Sequence, residues 1–143
     1  MAEIALINQM INALSVGING IYPEIDIFSE EIPETLPSQS FIIGPAGDID
    51  TARQPNNRFK ISGTFDITYI SQNNKMELMA EYNRVRLTIA INLGVIEYQG
   101  LKIRLSNYKS KTLNDELHIT ADFYMFIHAE DESHQINNVT VRT

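Results

Sequence analysis

The run from Arg58 to Ser71, RFKISGTFDITYIS, constrains the fold more than any other part of the chain. Phe59, Ile61, Phe65, Ile67 and Tyr69 share one parity; Lys60, Ser62, Thr64, Asp66 and Thr68 share the other. A strand sends successive side chains to opposite faces, so this segment has one apolar and one polar face. Helical spacing would scatter the same apolar residues around a cylinder. The pattern predicts a long central strand in a sheet whose apolar face is covered by helices. Gly63 interrupts the apolar set and predicts a bulge or a close backbone contact. Glu116 to His128 alternates in the same way, with Leu117, Ile119, Ala121, Phe123, Met125 and Ile127 inward.

The rest of the chain supplies partners for these two strands. Ile4, Ile7, Ile11, Leu14 and Ile18 step by three and four, widened by Leu6, Met10 and Ala13. That predicts an amphipathic helix from about Ala2 to about Gly17, ended by Gly17, Gly20 and Pro23. Its stripe packs on the chain's own sheet or docks on a partner, the first being the ordinary case. Ile25–Phe28 and Ser40–Ile43 read as short strands, separated by an acidic, proline-containing loop. Gly44 to Asn57 has no period and is expected to be a loop, of a length that in compact domains is often functional. Asn74, with Glu77 three residues on, resembles a capping box for a helix to about Leu93, stopped by Gly94. Leu78, Met79, Tyr82, Val85, Ile89 and Leu93 form its expected buried stripe; Glu81, Arg84 and Arg86 are expected to face outward. Gln99-Gly100 joins Val95–Tyr98 to a strand from Leu101 to Lys109, and Asn114-Asp115 gives another turn. Val139 and Val141 make one more short strand in the polar segment after Glu130.

The predicted class is α+β: a mainly antiparallel sheet with two helices packed on one face. Residues 1–130 form a single domain and 131–143 a polar C-terminal tail. The face away from the helices is expected to carry Lys60, Ser62, Thr64, Asp66, Thr68, His118, Thr120, Asp122 and Tyr124.

Composition narrows the function classes. There is no cysteine, which excludes disulfides, thiolate catalysis and Cys-type zinc sites. Formal net charge is −7, and the eleven Lys and Arg are scattered along the sequence, a poor footprint for gripping nucleic-acid phosphates. An acidic surface repels DNA and suits a passage through which DNA slides. No apolar run approaches the roughly 20 residues of a membrane-spanning helix, and no signal peptide is visible. His118, Asp122 and His128 share a strand parity, but His118 and Asp122 lie roughly 13 Å apart along it, too far for one ion. Nucleophile-elbow, phosphate-loop and dinucleotide motifs are missing. Neither a metal nor a cofactor is expected, nor an enzymatic activity. Asn138-Val139-Thr140 matches a glycosylation sequon and is read as chance.

Several segments together resemble a known family. They are the Ile-Asn-Ala-Leu of the first helix; Ile-Tyr-Pro-Glu-Ile-Asp-Ile-Phe-Ser-Glu-Glu-Ile at residues 21–32; Pro37; Ser40-Phe41-Ile42-Ile43; Phe65-Asp66-Ile67-Thr68-Tyr69; and the helix start near Met76. Across roughly residues 5–128 the chain is similar to the tail terminator (tail completion) proteins of tailed bacteriophages and phage-tail-like particles. The 44–57 loop is less basic than the family pattern. The resemblance implies a hexameric ring on the head-proximal end of the tail tube. Such a ring halts tube growth, meets the neck or head connector and, in contractile tails, holds the sheath. Three elements are expected to make contacts between subunits or with the tube: Glu30, Glu31 and Ile32; Asp48, Asp50, Arg53 and Arg58; and Val139 with Val141. Two other readings stay open. One is another head–tail connector or neck protein; the other is a small enzyme or ligand-binding domain using His118, Asp122 and Tyr124.

Overall fold

The computed structural model describes residues 2–29, 32–129 and 139–140. The elements in order are α1 (Ala2–Ile21), β1 (Asp26–Phe28), β2 (Gln39–Pro45), β3 (Asp50–Gln54), β4 (Arg58–Ser71), α2 (Lys75–Asn92), β5 (Val95–Tyr98), β6 (Leu101–Leu113), β7 (Glu116–Ala129) and β8 (Val139–Thr140). The strands form one eight-stranded sheet in the order β1-β2-β4-β7-β6-β5, with β3 paired to β4 and β8 to β7. All pairings are antiparallel except β1 with β2.

β4 and β7 are central, as their alternation implies. Their register sets Ile61 opposite Met125, Phe65 opposite Ala121, Ile67 opposite Ile119 and Tyr69 opposite Leu117. Those residues are buried and join Met10, Leu14 and Ile18 of α1 and Leu78, Tyr82, Val85 and Ile89 of α2 in one apolar cluster. The rungs between them are polar: Ser62 with Tyr124, Thr64 with Asp122, Asp66 with Thr120, Thr68 with His118. Pairing runs unbroken through Gly63, so that glycine marks a close approach and not a bulge. A Cβ there would lie 3.1 Å from the Phe123 ring and 3.3 Å from the Asp48 carbonyl. The irregularity falls instead in β6, between Ser106 and Lys109, where Asn107 takes φ 51°.

Four expectations need correction. α1 continues through Gly17 and Gly20 to Ile21. Ile18 is fully buried, and Gly17 lies where a Cβ would meet Leu93 Cδ2 at 3.0 Å and Ile96 Cδ1 at 3.2 Å. Gly17 therefore permits packing instead of ending the helix. The expected 44–57 loop contains β3, a strand with exposed side chains held by backbone pairing to Arg58–Ser62. Asn56 and Asn57, at φ 66° and 55°, turn it back into β4. They follow Pro55 in a three-residue turn, and asparagine tolerates the left-handed region better than most residues that carry a Cβ. On α2, Met79 is exposed, whereas Glu81, expected outside, is 5% exposed. Asn74 caps that helix as expected, its Oδ1 accepting from Glu77 N at 3.2 Å.

Candidate assembly surfaces

The fold gathers cations that are dispersed in the sequence. Antiparallel register puts Arg58 and Lys60 of β4 on the same face as Lys102, Arg104, Lys109 and Lys111 of β6, six of the eleven Lys and Arg. The guanidinium of Arg58 lies 3.8 Å from the Phe126 ring centre, and Lys60 Nζ lies 5.0 Å from that of Tyr124. Arg104 approaches Tyr124 from the neighbouring strand at 5.7 Å. Cations over ring faces are held in a fixed direction while staying wet.

Carboxylates and imidazole on this face are tied to neighbours. Asp122 accepts from Asn107 Nδ2 at 3.0 Å and from Thr64 Oγ1 at 2.9 Å, and these bonds hold it below the ordinary carboxylate range. Burial pushes Asp66 up, against the opposing pull of His118 and Lys111. His118 Nδ1 and Thr68 Oγ1 are hydrogen-bonded at 3.2 Å, and His118 Nε2 lies 3.3 Å from Glu116 Oε1. His118 and Asp122 thus have separate partners and do not form a joint site. Among the described residues no group of three or more His, Asp or Glu is arranged to hold a metal ion.

The residues expected at contacts fall in different places. Glu30, Glu31 and Val141 lie outside the described residues. Ile32 is half exposed in the segment before β2. Asp48 and Asp50 are brought together: with Lys60, Ser62 and Tyr124 they line an open depression of about 350 Å³. Arg53 and Arg58 are not. Arg53 pairs opposite Phe59 and lies 5.0 Å from that ring, while Arg58 sits on the other face of the β3–β4 hairpin. Val139 pairs with Ala129 of its own chain, so β8 extends the sheet from within.

One buried group escaped sequence reasoning. Glu81 Oε2 accepts from the Tyr69 hydroxyl at 2.5 Å, and Asn73 Nδ2 donates to Oε1. Gln39 Nε2 in turn donates to the Tyr69 oxygen at 2.9 Å. Burial alone would raise the Glu81 carboxyl; the donors Tyr69, Ser71, Asn73 and Gln39 outweigh it and hold the group below its ordinary value. The same burial pushes the Tyr69 hydroxyl upward, helped by Glu81. Glu81 falls three residues after Leu78 and one before Tyr82, within the buried arc of α2, and that spacing was the available signal.

These features define a small α+β domain that presents a polar sheet face, a two-stranded extension and strand edges to its surroundings. A family model described as phage tail terminator protein matches residues 9–135, and the chain belongs to that family. It is a structural component of the phage tail and interacts with other tail components. No curated protein matches it in sequence. One solved chain, 14% identical, aligns over 84% of this chain and 97% of that one with a TM-score of 0.44.

Proposed function

We propose that the protein terminates its tail. As a hexameric ring it caps the head-proximal end of the tail tube, stops tube polymerisation and joins the tail to the neck or head connector. The family match across residues 9–135 carries this reading. Two surface features support it. β1 and β5 end the sheet, and among the described residues no further strand pairs with either, so their outer edges suit strand addition by a neighbour. The outer side of α2 exposes Met76, Leu87 and Ile91 at 94%, 59% and 77%, an apolar stripe of the kind that contact surfaces use.

In this reading residues 1–130 are the ring-forming domain, and both helices cover one face of the sheet, consistent with their shared apolar cluster. Glu30, Glu31 and Ile32 meet a neighbour. The β3–β4 hairpin, with Asp48, Asp50, Arg53 and Arg58, reaches the next subunit or the tube. Val139 and Val141 add to a sheet edge at a subunit interface. The tail tube protein and the neck protein are the partners, with the sheath joined in a contractile tail. DNA passes through the lumen without sequence-specific contact. Assembly takes place in the cytoplasm of the bacterial host, and the product resides in the virion.

Electron microscopy of the protein mixed with purified tail tubes tests the proposal. Sixfold density at one tube end is expected; binding to portal or adaptor with bare tube ends would overturn it in favour of another neck component. Charge reversal at Glu30 and Glu31, and separately deletion of residues 136–143, should each reduce ring closure in light scattering. Unchanged assembly would remove that contact from the scheme.

A further inference from the structure

A cavity of about 420 Å³ opens where α1 ends and α2 crosses β4. This is within the roughly 300–1,000 Å³ of small-molecule and side-chain sites. Its walls are of two kinds. Ile21, Tyr22, Ile25 and Val85 make an apolar sleeve, and Glu81 contributes a carboxylate held in place by Tyr69 and Asn73. Glu24 and Arg84 also line it, so the lining carries two acids and one base.

The carboxylate is the unusual member. Glu81 is 5% exposed, and among the described residues no Lys, Arg or His lies within ion-pair distance of it. Buried charges ordinarily have a counter-charge, and Glu81 has neutral donors in its place. A long side chain with an apolar stem and a cationic tip matches both walls: the stem lies along the sleeve and the tip reaches the acid.

We propose that this cavity is a socket for a guanidinium or ammonium head group, seated on Glu81 with its stem against Ile21, Tyr22, Ile25 and Val85. The head group belongs either to an Arg or Lys of a partner polypeptide or to a free small amine. The site is independent of the ring reading, since it requires only this fold.

Amide chemical-shift titration of the full chain tests it, with N-acetyl-arginine-N-methylamide, its neutral citrulline counterpart and agmatine as probes. Saturable shifts at Asn73, Glu81 and Val85 are expected with the arginine probe, with affinity about tenfold or more above that of citrulline, as loss of a charge-assisted bond implies. Equal responses to arginine and citrulline, or no saturable response, overturn the proposal. If the site holds, tighter binding of capped arginine than of agmatine assigns a polypeptide source; equal or tighter agmatine binding assigns a free amine. Glu81→Gln should abolish the preference for arginine over citrulline, and persistence of that preference removes Glu81 from the site. Should Glu81→Gln fail to fold, the arginine–citrulline comparison on the unaltered chain still decides.

Discussion

The middle of β4 and its C-terminal end are buried by opposite chemistry. Around Gly63 and Phe65 the interior is purely apolar: Phe65 stacks on Phe123 with ring centres 4.3 Å apart, in space that the missing Gly63 side chain leaves open. Around Tyr69 the rings still pack, with Phe41 at 5.0 Å and Tyr82 at 5.8 Å, but the Tyr69 hydroxyl ends on a buried carboxylate. The middle stretch depends on volume, which neighbouring side chains can partly readjust. The second depends on directional bonds whose members must all be present, because a stranded buried donor or charge is costly.

The largest test of that contrast is Phe65→Ala. It should lower unfolding free energy in urea by about 3–5 kcal/mol, the usual range for emptying a buried aromatic site. A loss below about 1.5 kcal/mol, the level of a volume-conserving swap, would show that the stretch around Gly63 repacks freely. Next comes Glu81→Leu, which strands the Tyr69 and Asn73 donors and should lose about 1–3 kcal/mol in the same assay. Adding Tyr69→Phe should recover part of that loss; an additive double variant would break the idea of a coupled polar cluster.

Acid sharpens the comparison further. The folded value of Glu81 lies below its ordinary 4.5, so its contribution is complete above that pH and is lost as pH falls through the folded value. Thermal midpoints of the unaltered chain should therefore drop more steeply on acidification than those of Glu81→Leu. Parallel slopes would mean that the carboxylate is not held ionised by its donors. On the alkaline side Tyr108, pushed up to about 12 by burial, contributes stability that is complete below its ordinary 10.0 and is lost as pH rises through the folded value.

The smallest effect is expected from Asn74→Ala, about 1 kcal/mol for loss of a helix cap. It should show in hydrogen exchange as faster opening of α2 and of the Tyr69–Ser71 end, with the Gly63–Phe65 stretch unchanged. Uniform loss of protection would erase the distinction between the two stretches.

Much of the middle stretch was legible in the residues. Phe65, Ile67, Ile119 and Phe123 alternate without conflict, and a sheet with one buried face leaves such residues one parity to occupy. β3 was not legible, since Thr51, Ala52, Arg53 and Gln54 bury no apolar face and are held by the backbone of β4. The Asn56-Asn57 pair was its one local sign. Gly17 suggested a stop because its packing partners, Leu93 and Ile96, lie far along the chain, whereas a Cβ on Gly20 would meet nothing within 4 Å. Of the expected contact residues, Asp48 and Asp50 share a depression, whereas Arg53 and Arg58 are split by strand parity. Charge along the sequence likewise did not reveal that Arg58, Lys60 and Arg104 share one face, since that follows from register between strands more than 40 residues apart.

Alternation and periodicity by themselves determined the two helices, the long central strands and the identity of nearly all the apolar interior, because burying apolar surface is non-directional and needs only the right side chains on one face. Where a polar group is buried, and which cations become neighbours, was decided by the tertiary structure alone. Glu81 is tolerated inside because Tyr69 and Asn73 meet it there, and hydrogen bonds depend on positions in space that residue order does not encode.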